Sequence, residues 1–287
     1  LAFEDSLEEI MVKVDQYDGL IIRSKYPIDE TFLACAKGLK FIARLGAGIE
    51  NIDVPAVESR NILLVNAPEG NRNAVGEQAL GMLLALMNRL KSGHNSVKSG
   101  EWDREGHRGW ELSGRTVGII GYGHTGKSFA RKISGFDVRT LCYDILENIG
   151  DDYAQQVNLE TLQSLSEVIS LHIPQTDLTK GIINKEFIDA MSHPFWLVNT
   201  ARGSAVVTQD LVEGLQSQKI MGAGLDVLEY ETLSFSSIFN QEILPPALQY
   251  LMEAEHVLLS PHVAGWTQES HLKLATTIIE KLKKIFS

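Results

Sequence analysis

The sequence predicts an α/β protein in which short parallel strands alternate with helices across two domains. Three observations carry this expectation. Brief apolar runs recur down the chain, separated by segments with helical periodicity. One such run, beginning at Thr116, ends in Gly121-Tyr122-Gly123-His124-Thr125-Gly126 and leads into a helix-like stretch, Lys127 to Ile133. Polar and charged residues fall just after other strand-like runs, at the edge where open α/β sheets gather ligands.

The elements follow in order. Leu1 to Val14 reads as a helix with Leu7, Ile10, Met11 and Val14 on one face. Gly19 to Ser24 is a short strand with a polar end, followed by a helix over Asp29 to Gly38. Strands are expected at Leu39 to Leu45, before the turn Gly46-Ala47-Gly48, and at Ile62 to Val65. Val75 to Leu90 is the longest helical pattern, and its broad apolar face suits either a domain core or a partner subunit. Lys91 to Glu111 is polar and reads as a linker or an arm. Later strands are expected at Val138 to Tyr143, Val168 to His172, Trp196 to Asn199, Gly222 to Asp226 and Val257 to Ser260. Helices are expected at Asn158 to Leu165, Lys185 to Met191, Thr208 to Ser217 and Glu269 to Phe286. Leu233 to Leu251, with Pro245-Pro246, reads as a surface loop carrying a short helix. The domains are expected at 1–90 with 266–287, and at 91–265.

The glycine spacing has separable physical uses. Gly121 permits the sharp strand-to-helix turn, Gly123 lets a pyrophosphate approach the backbone, and Gly126 lets the helix pack closely on its strand. The helix N-terminus offers unpaired N–H groups to phosphate. Asp144 lies 18 residues beyond Gly126 at the end of the next strand. A carboxylate there accepts from both ribose hydroxyls and repels a 2′-phosphate, so NAD is the expected cofactor rather than NADP.

Composition narrows the partners. The chain has 287 residues, 44% hydrophobic and 22% charged, with a net charge of -11. That charge argues against nucleic acid or an anionic membrane, and requires a local cationic cluster to hold any anionic substrate. No run is long enough to span a bilayer and no signal pattern is seen, so a cytoplasmic protein is expected. The two cysteines, Cys35 and Cys142, read as reduced thiols, and no histidine has metal-ligand spacing, so no metal is expected.

Three side chains stand out after strand ends: Arg202, Glu231 and His262. Oxidising an alcohol beside a carboxylate needs a cation for the carboxylate, a base for the hydroxyl proton and a group that orients the base. Glu229 is the rival of Glu231, and His172, Tyr122 and Arg23 each have a structural reading as well.

Several stretches occurring in one order make the chain resemble the D-2-hydroxyacid dehydrogenase family, with most likeness to its phosphoglycerate-oxidising branch. They are Arg44 to Asp53, Asn73 to Glu77, Glu111 to Gly121, His172 to Thr176, Asn199 to Gly203, Leu225 to Val227 and Pro261-His262. The resemblance implies two Rossmann-like domains with parallel sheets, the first (substrate) domain lacking its first strand, because the family begins with a strand and helix ahead of Leu1. It implies that Arg202 binds the substrate carboxylate, His262 removes the hydroxyl proton and Glu231 holds the other imidazole nitrogen. It puts Gly121, Gly123, His124, Thr125, Gly126, Asp144, His172, Pro174, Thr176, Thr200 and Asp226 at the cofactor. It puts Arg23, Ser24, Arg44, Gly46, Ala47 and Gly48 at the substrate. His124-Thr125 replaces the Arg or Asn and apolar pair common in the family. The implied reaction is NAD-dependent oxidation of 3-phosphoglycerate, in serine biosynthesis. Reduction of glyoxylate or hydroxypyruvate, oxidation of D-lactate, and a non-enzymatic NAD-sensing corepressor are the alternatives. A homodimer built on the Val75 to Leu90 helix is also implied.

Overall fold

A computed structural model describes residues 4–231 and 244–287, which form two compact units: 4–71 with 267–287, and 72–231 with 244–266. The first contains α1 (Leu7–Lys13), β1 (Gly19–Ile22), α2 (Glu30–Cys35), β2 (Phe41–Arg44), α3 (Val54–Ser59), β3 (Leu63–Asn66) and the closing helix Gln268–Phe286. Its three strands are parallel, in the order β1-β2-β3. Each helix starts where a side chain can take a free N–H: Ser6 for α1, Asp29 for α2, Asp53 for α3 and Thr267 for the closing helix. Successive β2 residues face opposite ways, and both faces are covered. Ile42 packs with Phe32, Leu33 and Val57, while Ala43 packs with Leu274 and Ile278 of the closing helix.

The second unit holds most of α4 (Pro68–Met87), then α5 (Leu90–Lys98), β4 (Thr116–Ile120), α6 (His124–Ile133), β5 (Arg139–Tyr143), the two-residue β6 (Gln155–Gln156) and α7 (Leu159–Leu165). It continues with β7 (Val168–Leu171), α8 (Lys185–Ala190), β8 (Phe195–Asn199), α9 (Thr208–Gln216), β9 (Ile220–Leu225), α10 (Pro246–Glu253) and β10 (Val257–Leu259). The seven strands are all parallel, in the order β10-β9-β8-β7-β4-β5-β6. One core joins Ala79, Leu83 and Met87 of α4 and Phe129 and Ile133 of α6 to one sheet face. The other joins Leu162, Ile188, Leu211 and Leu251, from α7 to α10, to the opposite face. Chain order reverses between β4 and β7, which opens a crevice at their carboxyl ends, where doubly wound sheets bind ligands.

The structure differs from the sequence reading in several places. Lys91 to Glu111 is not all linker, because α5 occupies its first part. Only Ser92 of that helix is buried, and its large apolar residues, Leu90 and Val97, are exposed. A break between α4 and α5 comes from Arg89, whose φ of 51° leaves the helical region. The first unit closes at Asn71 rather than at 90, because Ala79, Leu83 and Met87 belong to the core of the larger sheet. Short α3 and β6 were missed, being too brief for periodicity to register. The stretch Leu233 to Leu251 lies mostly outside the described residues; its end forms α10.

Candidate active site

The glycine loop comes directly off β4. Gly121 has a φ of +89°, and a Cβ there would lie 2.5 Å from the carbonyl oxygen of His172, so only glycine fits. A Cβ on Gly126 would overlap the carbonyl of Gly121, which is the close helix–strand contact expected of the third glycine. Gly123 is different, for a Cβ there would meet nothing within 4 Å. It is also the N-cap of α6 and supplies no side-chain cap. An exposed, uncapped helix start beside open space is a fit for a phosphate group.

Asp144 sits just past β5, next to this loop. Its Oδ2 accepts from the Tyr122 N–H at 2.7 Å and its Oδ1 from the Leu146 N–H at 3.0 Å. Each oxygen keeps a lone pair for a ribose hydroxyl. Tyr122 is buried and donates its hydroxyl to Asp151 at 2.6 Å, so its side chain has a structural role. Burial, with Asp151 beside it, pushes the phenol well above its usual range, so it stays protonated.

On the far side of the crevice, His172 follows β7 with its ring buried. Burial pushes its pKa down to about 3, and Nε2 lies 2.9 Å from Ser170 Oγ. The neutral imidazole therefore braces the strand end. Its Nδ1 and the Oγ1 of buried Thr200, which follows β8, have no hydrogen-bond partner among the described residues. Two orphaned buried polar atoms beside the crevice are what a polar ligand would satisfy. Pro174 and Thr176 lie on the exposed turn after β7, where Thr179 Oγ1 donates to the Pro174 carbonyl at 2.7 Å.

Three consecutive strand exits, after β8, β9 and β10, carry the reactive groups. After β8, the buried Asn199 side chain accepts from the Ala201 N–H at 3.0 Å and donates to the Arg202 carbonyl at 2.9 Å, fixing the turn that presents Arg202. After β9, Glu231 Oε1 accepts from the Leu228 N–H at 2.5 Å and Oε2 lies 2.7 Å from His262 Nδ1. The pair is only about a quarter exposed, at 27% and 23% for the histidine and glutamate side chains. Glu229, the rival acid, is exposed and accepts from the Thr208 N–H at the start of α9, so it is a helix cap. After β10, His262 takes a left-handed φ of 54°.

Asp226 joins these exits. Its N–H donates to the Asn199 carbonyl at 3.0 Å and its carbonyl accepts from the His262 N–H at 2.8 Å. Its carboxylate, 1% exposed, accepts from Ser260 Oγ, Val263 N–H and Ala264 N–H. The sequence reading put Asp226 at the cofactor; in the structure its acceptors are engaged with the turn that carries His262.

The remaining candidates lie in the first unit. Arg44 ends β2, is 8% exposed and folds back over the turn, with Nη1 donating to the Leu45 carbonyl at 2.8 Å. The carbonyls of Gly46 and Ala47 are taken by the Ala67 N–H and Asn66 Nδ2 on the β3 side. Arg23 and Ser24 follow β1, where buried Asn51 donates to the Arg23 and Tyr26 carbonyls and pins their turn. Asn51 and Asn199 had no role in the sequence reading. For Asn199 the signal was present, since it is an amide closing an apolar strand; Asn51, between Glu50 and Asp53 and away from any strand end, gave none. Among the described residues no group of three His, Cys, Asp or Glu could hold a metal, and no helix is long and apolar enough to cross a membrane.

The larger unit is thus a doubly wound, dinucleotide-binding sheet with an acid–histidine pair at its edge. Residues 80–264 match the family model of the D-isomer specific 2-hydroxyacid dehydrogenase, NAD binding domain. The chain is 34% identical over 283 residues to a D-3-phosphoglycerate dehydrogenase of Archaeoglobus fulgidus, covering 96% of this chain and 51% of that protein. It is 33% identical over 280 residues to a hydroxypyruvate reductase of Thermotoga maritima, covering 96% and 87%. Among solved structures, D-2-hydroxyisocaproate dehydrogenase superposes with a TM-score of 0.86 at 28% identity, over 99% of this chain and 87% of that one. The chain belongs to the D-2-hydroxyacid dehydrogenase family, and its cofactor is NAD. It spans about half the length of the phosphoglycerate dehydrogenases it matches.

Proposed function

We propose that this protein is an NAD-dependent D-2-hydroxyacid dehydrogenase with Arg202, Glu231 and His262 as its catalytic residues. The observation that carries the reading is the 2.7 Å contact between His262 Nδ1 and Glu231 Oε2 at one sheet edge, with Arg202 on the neighbouring strand exit. With Nδ1 engaged by the carboxylate, Nε2 is the nitrogen that accepts a proton. In the forward direction His262 takes the C2 hydroxyl proton and Glu231 stabilises the imidazolium. Arg202 grips the substrate carboxylate with a planar, permanently charged fork. NAD, when bound, would supply the acceptor for the hydride that leaves C2. Gly123, His124, Thr125 and Gly126 would hold its pyrophosphate, Asp144 its ribose, and Gly121, His172, Pro174, Thr176, Thr200 and Asp226 would line the rest of the cofactor site. Asp144 favours NAD over NADP.

The substrate is a small 2-hydroxy acid. The Gly46-Ala47-Gly48 turn, with its carbonyls held away and Arg44 folded against it, supports an anion there, and Arg23 and Ser24 extend that polar end. We favour 3-phosphoglycerate. Hydroxypyruvate is the second reading, supported by the 33% identity to the hydroxypyruvate reductase of Thermotoga maritima. A homodimer is supported by Leu90, Val97 and Trp102, which are 59%, 56% and 80% exposed on α5 and the segment after it. Two free thiols suit a cytoplasmic location. The test is NADH formation from a panel of D-2-hydroxy acids, with the reverse reaction on hydroxypyruvate and glyoxylate. Turnover of 3-phosphoglycerate above the rest is expected; turnover of unphosphorylated acids alone would replace the substrate, and no turnover at all would refute the activity.

A further inference from the structure

We propose that Gly203 is a positioning residue that sets the register between the Arg202 exit and the Glu231–His262 pair. This rests on the catalytic reading above, and it comes from a backbone contact rather than a side chain. Gly203 opens a short 3-10 turn, Gly203–Ala205, immediately after Arg202. Its φ is unremarkable for any residue, so conformational freedom is not the reason for a glycine. Space is the reason. A Cβ at position 203 would overlap the carbonyl carbon and oxygen of Leu228 and come within 2.7 Å of the Glu229 nitrogen. All of these are backbone atoms, so no side chain can swing aside.

Leu228 is the residue whose N–H is bonded to Glu231 Oε1, while Glu231 Oε2 holds His262 Nδ1. The clashing Leu228 carbonyl itself accepts the Glu231 N–H at 3.1 Å, so a methyl group on residue 203 pushes the peptide that holds the Glu231 backbone, next to the peptide whose N–H bonds its carboxylate. On its other side, Gly203 is the peptide neighbour of Arg202, whose carbonyl is tied to Asn199. Buried Asn199 thus restrains that exit from both sides of the turn. The displacement passes to the 228–231 turn, and the Glu231 carboxylate turns away from the imidazole. The cofactor loop at Gly121 to Gly126 leaves a different strand, and it keeps its geometry.

The experiment compares the full chain with Gly203→Ala, Glu231→Gln and the double variant. NADH affinity is followed by fluorescence, kcat and KM are measured for the best substrate of the panel, and the His262 Nδ1–H proton resonance is observed by NMR. Expected for Gly203→Ala are an NADH Kd within about twofold of the parent, kcat lowered at least about tenfold, and a displaced or lost Nδ1–H resonance. In the double variant the effect is sub-multiplicative, with little further loss beyond Glu231→Gln alone. An unmoved Nδ1–H resonance, fully multiplicative losses, or a Gly203→Ala chain that no longer binds NADH would each overturn the proposal. A displaced resonance in a chain that shows no dehydrogenase activity even as the parent would uphold the positioning and refute the catalytic reading.

Discussion

The N–H of His262 donates to the carbonyl of Asp226 at 2.8 Å, and the Asp226 carboxylate takes the N–H groups of Val263 and Ala264, the next two residues. His262 therefore sits at its left-handed φ because one buried aspartate holds the whole turn around it. Such a backbone costs on the order of 1 kcal/mol and persists only where the surroundings enforce it.

Asp226→Asn keeps the shape and replaces one acceptor oxygen with an N–H₂ donor. One of the three groups now bonded to the carboxylate then faces a donor inside a buried site. A loss of about 1–3 kcal/mol in stability is expected, together with a fall in kcat larger than any change in NADH affinity. Urea unfolding and steady-state kinetics measure both. Wild-type stability and turnover would show that the turn holds itself.

Glu231 and Glu229 give opposite signatures. Glu231→Gln removes the charge opposite the imidazole, and kcat should fall by about a hundredfold or more with little change in the unfolding midpoint. Glu229→Ala loses a helix cap, so about 0.5–1.5 kcal/mol of stability should go while kcat stays near wild type. Exchanged outcomes would reassign the acid.

The sequence carried the architecture because the strands are short, apolar and bounded by turns, as β4, β7 and β8 illustrate. It carried the cofactor loop because Gly121 and Gly126 are demanded by sterics that depend only on local geometry. It placed Arg202, Glu231 and His262 after strand ends, but could separate Glu231 from Glu229 only by family spacing. The separating fact is which acid faces His262 and which faces α9, and that depends on how the turn after β9 folds. The same limit hid the hold of Asp226 on the His262 turn. The family resemblance put Asp226 at the cofactor, while its carboxylate bonds to residues more than thirty positions away depend on the folded chain. Helix α5 was passed over because it is short and polar, and its large apolar residues, Leu90 and Val97, are exposed rather than part of a core.

Asp144→Ala tests the cofactor preference. The carboxylate is held at the end of β5 by the Tyr122 and Leu146 amides and is half-buried. Without it, the ratio of kcat/KM for NAD to that for NADP should drop at least about tenfold. An unaltered ratio would mean that another residue reads the ribose.

His172 makes the fold sensitive to acid. Its pKa is held at about 3 by burial, against about 6.5 for an unfolded histidine. Between those values the unfolded chain binds the extra proton, so stability falls as pH falls from about 6.5 toward 3. The slope approaches 1.4 kcal/mol per pH unit at about 25 °C. His172→Gln removes this contribution, so its stability relative to wild type should improve steadily between pH 6.5 and 4.5. Parallel stability curves for the two proteins would contradict the burial argument.

His262 moves the substrate proton at a site whose cofactor half is built separately. Single-turnover hydride transfer by His262→Ala, measured beside its NADH Kd, tests this most directly. A transfer rate lower by about 10²–10⁴ is expected, with the Kd within about twofold of wild type. An unchanged transfer rate would contradict it.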